Sequence, residues 1–282
     1  MVLLLLLMII PMIILGSINV VSAADRSDVT YDEVLANFRN VRAGRIGRNN
    51  LYRSQHPANN TNRSLCANAL LEQNKIWTVL NLSDSKSGLD KKIKENIVGS
   101  SYYYKTLYKK GRIYTAGISK YQNDAFYRNR IVASLKFFVK NKSPYLVHCN
   151  AGRERTGMVI LVLESLMGAS YNYMVDDYAQ SFVNMNGYSR TAAQKEAILR
   201  VNEGLSFITG KIGVLNWSKI NLVPNTELFL RQGGMSVAEI AALKKNLNQI
   251  ALLRDAFPTF ASLSKAVPHR GSLFSFYFLV FI

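Results

Sequence analysis

A chain of 282 residues with a formal net charge of +17, 49% hydrophobic and 19% charged side chains can build a packed core, which excludes a disordered chain. The positive charge predicts anionic partners such as phosphorylated substrates or acidic surfaces. No zinc-finger spacing, RNA-binding signature or basic helix accompanies it, so nucleic acid is not expected as a partner.

Residues 1–23 hold no charged side chain, and Val2 to Leu15 is an apolar run interrupted only by Pro11. Val21-Ser22-Ala23 then offers small residues suited to cleavage, so 1–23 reads as a signal peptide and the body as secreted or periplasmic. No Lys or Arg precedes the run, and a retained membrane anchor is the competing reading, although the run is short for a full span. After cleavage no membrane span is expected. Residues 24–271 read as one domain. The segment 272–282 reads as an apolar tail without an assigned role, too short to cross a bilayer as a helix.

In chain order, Tyr31 to Phe38 is amphipathic and Arg42 to Asn50 an irregular lead-in. Leu51 to Arg53 reads as a short strand, His56 to Thr61 as a turn-rich loop, and Asn62 to Asn74 as a helix that buries Cys66. Trp77 to Leu82 is apolar almost throughout, as in a strand covered on both faces. Ser83 to Gly88 reads as loop, Asp90 to Asn96 as a short charged helix, and tyrosine-rich Ser101 to Tyr108 as a strand. Lys109 to Arg112 is a basic turn. Asp124 to Lys140 is a helix with Tyr127, Ile131, Leu135, Phe138 and Val139 on one face, ended by Ser143-Pro144. Helices follow from about Asn172 to Val183 and Thr191 to Glu203. Residues 205–232 are ambiguous. The capping box Ser236-x-x-Glu239 opens a last helix presenting Ile240, Leu243, Leu247 and Ile250. Strands alternating with helices, then mostly helix, predict an α/β fold: a central mixed sheet flanked by helices, with a helical C-terminal part.

The stretch Tyr145-Leu-Val-His-Cys-Asn-Ala-Gly-Arg-Glu-Arg-Thr-Gly157 carries the chemistry. It reads as a buried strand, a tight loop, and a helix from Thr156 to about Met167, closed by Gly168. Loop N–H groups and the helix N-terminus together make an anion nest. The same field favours a thiolate at Cys149, the nucleophilic form. Arg155, six positions on, can grip two phosphate oxygens through its planar fork. Gly152 lets the loop bend. Asn150, Ala151, Gly152, Arg153 and Glu154 would surround the phosphate, and Thr156 can donate toward the thiolate. The competing reading of Cys149 is a small buried hydrophobe.

This segment resembles the Cys-x5-Arg signature of the protein tyrosine phosphatase superfamily, closest to the Gly-Lys-Asp-Arg-Thr-Gly form found in bacterial tyrosine phosphatases. Leu51-Tyr-Arg-Ser-Gln-His-Pro57, Ile76-Trp-Thr-Val-Leu-Asn-Leu-Ser-Asp84, Leu166-Met-Gly-Ala-Ser170 and Asp176-Asp-Tyr178 support the resemblance, which covers roughly residues 40 to 205. It implies a tyrosine-phosphatase-like fold, a cysteinyl-phosphate intermediate, no cofactor and no metal, and a structural His148 that tunes the cysteine. A leaving alkoxide or phenoxide needs an acid. Asp124, 25 residues before Cys149, is one candidate, although related enzymes place their acid at somewhat greater separation; its alternative role is a helix N-cap. Glu154 replaces the aspartate of the Lys-Asp-Arg form and is the second candidate; its alternative role is a salt bridge that props the loop. Arg153 replaces the lysine and could meet a second phosphate or an acidic neighbour, or could simply face solvent. Arg53 and Asp84 could line the pocket or fix the strands. A disulfide between Cys66 and Cys149, the two cysteines, would remove the nucleophile. Three functions are carried forward: a phosphotyrosine phosphatase, with dual specificity as a variant; a phytase or phosphoinositide phosphatase on an inositol phosphate; and an inactive phosphate-binding module.

Overall fold

A computed structural model describes residues 30–95, 102–119 and 124–248. The chain parts into two units, Met1–Tyr31 and Asp32–Ile282, and of the first only Thr30 and Tyr31 are described. The expected signal peptide, the apolar tail and Ile250 lie outside the described residues.

The elements run α1 (Tyr31–Ala36), β1 (Arg39–Asn40), β2 (Leu51–Ser54), α2 (Asn62–Gln73), β3 (Thr78–Asn81), α3 (Lys86–Lys94), α4 (Tyr102–Lys109), β4 (Ile113–Thr115), α5 (Ala125–Lys140) and β5 (Tyr145–His148). Then come α6 (Glu154–Leu166), α7 (Tyr171–Asn186), α8 (Arg190–Thr209), a 3-10 turn (Trp217–Lys219), α9 (Leu222–Gln232) and α10 (Val237–Asn248). The sheet order is β1-β2-β5-β3-β4. Only the β1–β2 pair is antiparallel, so the sheet is mixed, as expected.

Strand alternation sorts the core into two layers. Leu80, Tyr145 and Val147 join a large cluster with α5 to α10. Their neighbours Val79 and Leu146 face a smaller cluster fed by α1 to α4. The parity continues past the strand end: Cys149 shares the face of Tyr145 and Val147, where α6 lies, and His148 shares the face of Leu146. Helix α6 is buried on nearly every side, as its apolar sequence requires.

Several expectations need correction. Ser101 to Tyr108 was expected as a strand; residues from Tyr102 form helix α4. Tyr104 and Leu107, three apart, bury together against the smaller cluster, and that packing outweighs the β preference of tyrosine. The charged helix starts at Lys86, where Ser85 caps it by accepting from Gly88 N–H, inside the expected loop. Cys66 is half-buried and its thiol donates to Asp32. Short strand β4 and helix α9, which fills part of the ambiguous stretch, had no clear periodic signal. The Ser236 box forms as read: Ser236 N–H donates to Glu239, and Glu239 N–H to Ser236 Oγ.

Candidate active site

The loop joining β5 to α6 crosses the C-terminal edge of the sheet, and its shape is set by donors from elsewhere in the chain. His56 N–H donates to the Asn150 carbonyl at 3.0 Å. Asn37 Nδ2 donates to the carbonyls of Ala151 (3.1 Å) and Gly152 (3.2 Å). Arg53 Nη2 donates to the carbonyl of Gly152 at 2.8 Å and reaches that of Arg153 at 3.4 Å. With four successive carbonyls held outward, the N–H groups must turn the other way. Among the described residues, none of the main-chain N–H groups from Asn150 to Arg155 has an acceptor. Arg153 stands at the N-cap of α6 with no side-chain cap bond, so the helix start is also left free for an anion.

Gly152 is required at its position. Its φ is +68°, and a Cβ there would lie 2.2 Å from the Ser54 carbonyl oxygen. Cys149 is 1% exposed at the floor of the loop, beside the larger core, and is a free thiol. Its strand parity explains this placement: the side chain points to the α6 face, the side on which the loop turns. Arg155 is half-buried, and its Nη1 donates at 2.6 Å to the carbonyl of Ile118, three residues past β4. Thr156 Oγ1 is buried and has no hydrogen-bond partner among the described residues, so the expected bond to the thiol is not formed here.

The two candidate acids are both engaged. Asp124 is exposed and caps α5 by accepting from Tyr127 N–H at 2.7 Å. Glu154 is paired with Arg153, and lines a small hollow of about 110 Å³ with Met158, Leu161, Tyr178, Arg200 and Glu203. Arg153 also bonds Asn186 and lies 5.0 Å over the Phe182 ring, so its guanidinium is fully employed by the protein.

Beneath the loop lies a buried ionic cluster. Asp177 of α7 binds Arg39 (2.7 Å) and Arg53. Burial would push the Asp177 carboxyl up, but the two guanidinium groups outweigh it and hold it below the usual carboxylate range. Glu164, buried nearby, has its carboxyl pushed well up by burial and by the Asp177 charge. Its Oε1 and Arg53 Nε have no hydrogen-bond partner among the described residues.

A second network spans the sheet edge. The segments following β2 and β3, the two strands flanking β5, are tied together by His56 Nε2 and Asp84 at 2.7 Å. Ala58 N–H occupies His56 Nδ1 at 3.0 Å, so the proton sits on Nε2 and donates to the carboxylate. Burial pushes His56 down, consistent with a neutral ring. Burial alone would raise Asp84; donors from His56, Asn81 and Lys92 outweigh it and keep the group ionised. Asn81 Nδ2 also donates to Tyr104 Oη at 3.0 Å. The phenol then donates to His148 Nε2 at 2.9 Å, leaving Nδ1–H toward the Cys149 carbonyl at 3.4 Å. His148 is held neutral by burial first and by nearby His56 second.

Thus the loop residues and His148 surround Cys149, Arg155 opens α6 with its guanidinium on the Ile118 carbonyl, and Arg153 and Glu154 pair with each other. Asn37, His56, Asn81, Tyr104 and Asp177 had not been singled out. The Leu51-Tyr-Arg-Ser-Gln-His block was the available signal for His56, because a polar side chain so close after a buried strand sits at the sheet edge. Among the described residues no three His, Cys, Asp or Glu side chains gather as metal ligands would, and no helix is long and apolar enough to cross a membrane.

A mixed sheet carrying a Cys-x5-Arg loop with free main-chain N–H groups at the C-terminal ends of its strands has the form that the resemblance to tyrosine phosphatases implies. The chain belongs to the tyrosine phosphatase family, whose family model matches residues 33–249. Among solved structures, the chain is similar to the Siw14 catalytic core, at 19% identity and a TM-score of 0.34, covering 61% of this chain and 94% of that one. No curated protein matches the chain.

Proposed function

We propose that this protein is an exported phosphatase that hydrolyses phosphotyrosine through a cysteinyl-phosphate intermediate. The observation that carries this is the carbonyl-out, amide-in loop around Cys149, built by Asn37, Arg53 and His56. A phosphoryl dianion placed there meets unpaired N–H groups and Arg155 on its equatorial oxygens. The Cys149 thiolate attacks phosphorus; the S–P bond forms as the P–O bond to the leaving group breaks. Asp124 protonates the departing oxygen. It is preferred to Glu154 because the Glu154 carboxylate is paired with Arg153. Water then attacks the phosphocysteine, gives its proton to Asp124, and frees inorganic phosphate and the thiolate. The unpartnered Thr156 hydroxyl can donate to that departing sulfur. Export rests on the uncharged, apolar residues 1–23.

Arg153 was open to a second phosphate, an acidic neighbour of the substrate or solvent; it is taken up by Glu154 and Asn186, which removes one reason to prefer an inositol polyphosphate. The test is turnover, under reducing conditions, of p-nitrophenyl phosphate, a phosphotyrosine peptide and inositol hexakisphosphate. The phosphotyrosine peptide should give the highest kcat/KM. Preference for inositol hexakisphosphate would replace this reading with the phytase one. Binding of phosphate without any turnover would leave only a phosphate-binding module. Cys149→Ser should end turnover and retain phosphate binding. Asp124→Asn should lower kcat by about 10²–10⁴-fold on a phenyl phosphate ester with a poor leaving group. Glu154→Gln should change it far less.

A further inference from the structure

Helix α8 ends at Gly210 in the left-handed conformation, and Gly213 repeats that conformation three residues on. Between Gly210 and the Trp217 turn, the side chains divide by direction. Val214 and Trp217 pack on the larger core, whereas Ile212 is 93% and Leu215 102% exposed. These are the two most exposed large apolar side chains among the described residues. Lys211 and Lys219 flank them in the open, and no acidic side chain occurs from Gly204 to Thr226.

A core residue and a tip residue in alternation hold the loop firmly while presenting its aliphatic ends to water. Isolated exposed apolar residues are ordinary; a fully exposed pair on an anchored loop, bracketed by lysines on a chain of net charge +17, has a specific charge complement. We propose that this loop docks the protein on an anionic lipid bilayer. Ile212 and Leu215 enter the boundary between headgroups and acyl chains, and Lys211 and Lys219 meet lipid phosphates. A fluid apolar layer needs no shape match, which suits two tips that stand clear of any groove. The proposal does not depend on the phosphatase reading.

The test uses the full chain and vesicles of phosphatidylcholine with or without about 30% phosphatidylserine, at roughly 0.15 M salt. The apolar ends of the chain could bring it down with vesicles by themselves, so the deciding readout is local. Leu215→Trp should show emission that shifts to the blue, and is quenched by brominated lipid beyond the wild-type level, only on the anionic vesicles. Ile212→Ser with Leu215→Ser keeps every charge and should lower partitioning about tenfold, with the melting temperature and p-nitrophenyl phosphate turnover unchanged. Lys211→Gln with Lys219→Gln should lower it several-fold. An unshifted Leu215→Trp spectrum on the anionic vesicles, or one no more quenched by brominated lipid than the wild type, overturns the proposal. Binding of the loop to a soluble acidic protein, with no such shift on vesicles, overturns it equally.

Discussion

Gly152 bears the strictest requirement of any single residue at the loop. Its positive φ and the Ser54 carbonyl 2.2 Å from a notional Cβ leave alanine no place. Gly152→Ala should keep β5 and α6 folded on their buried side chains, yet push the loop off Ser54 and lose at least about 10²-fold in kcat/KM, a cost typical of misplacing reacting groups by an ångström. Circular dichroism and p-nitrophenyl phosphate kinetics on one sample would check both halves. Asp84→Ala should act through His56: without the carboxylate, the ring loses the partner that ties the two flanking segments together. We expect kcat to fall about tenfold or more while phosphate affinity weakens only slightly, a split that steady-state kinetics with a phosphate competition series would show. The placement of Cys149, Gly152 and Arg155 at strand end, bend and helix start was legible in the sequence, because their spacing matches a strand, a tight loop and a helix. His56 and Asp84 were not, because a histidine in a turn and an aspartate after a strand acquire meaning only when two loops meet.

At the scale of elements, Asp177 ties α7 to β1 and β2 through Arg39 and Arg53, with the buried Glu164 of α6 close by. Asp177→Ala would leave two guanidinium groups buried without their anion, and should cost about 3–5 kcal/mol in denaturant unfolding. The two carboxylates give opposite pH dependences. Asp177 has a depressed folded value, so its stabilisation is present above its unfolded value of about 3.9 and lost as pH falls through the folded one. Glu164 has a raised folded value, so its contribution is greatest below about 4.3 and lost as pH rises toward the folded value. Glu164→Gln should therefore flatten the decline in stability on the alkaline side, and thermal unfolding from pH 5 to 9 would show it. Helix α4 teaches the limit of reading elements from composition. Three consecutive tyrosines favour a strand locally, but Tyr104 had to reach His148 while Leu107 sealed the smaller core, and only a helix aligns that pair. Helix α5 was legible because its five apolar positions repeat at helical spacing with little ambiguity.

For the whole molecule, the charge of +17 should attract a dianionic substrate over distances comparable to the Debye length. Raising salt from roughly 20 to 500 mM should lower kcat/KM for phosphotyrosine peptide about tenfold with little change in kcat. The overall α/β plan was legible from the alternation of strand and helix signals. The division of labour between the two layers was not, since strand parity assigns faces only when the register is known. One feature of that arrangement governs how the enzyme comes into being. The mould around the thiol is gripped by Asn37, Arg53 and His56 from the first third of the chain, and Arg53 is itself steadied by Asp177. A nascent polypeptide that has reached residue 157 therefore holds Cys149, Arg155 and the three residues that grip the loop, but not Asp177, which steadies Arg53. Competence waits on the emergence of α7, so truncations before Asp177 should yield an inert signature motif.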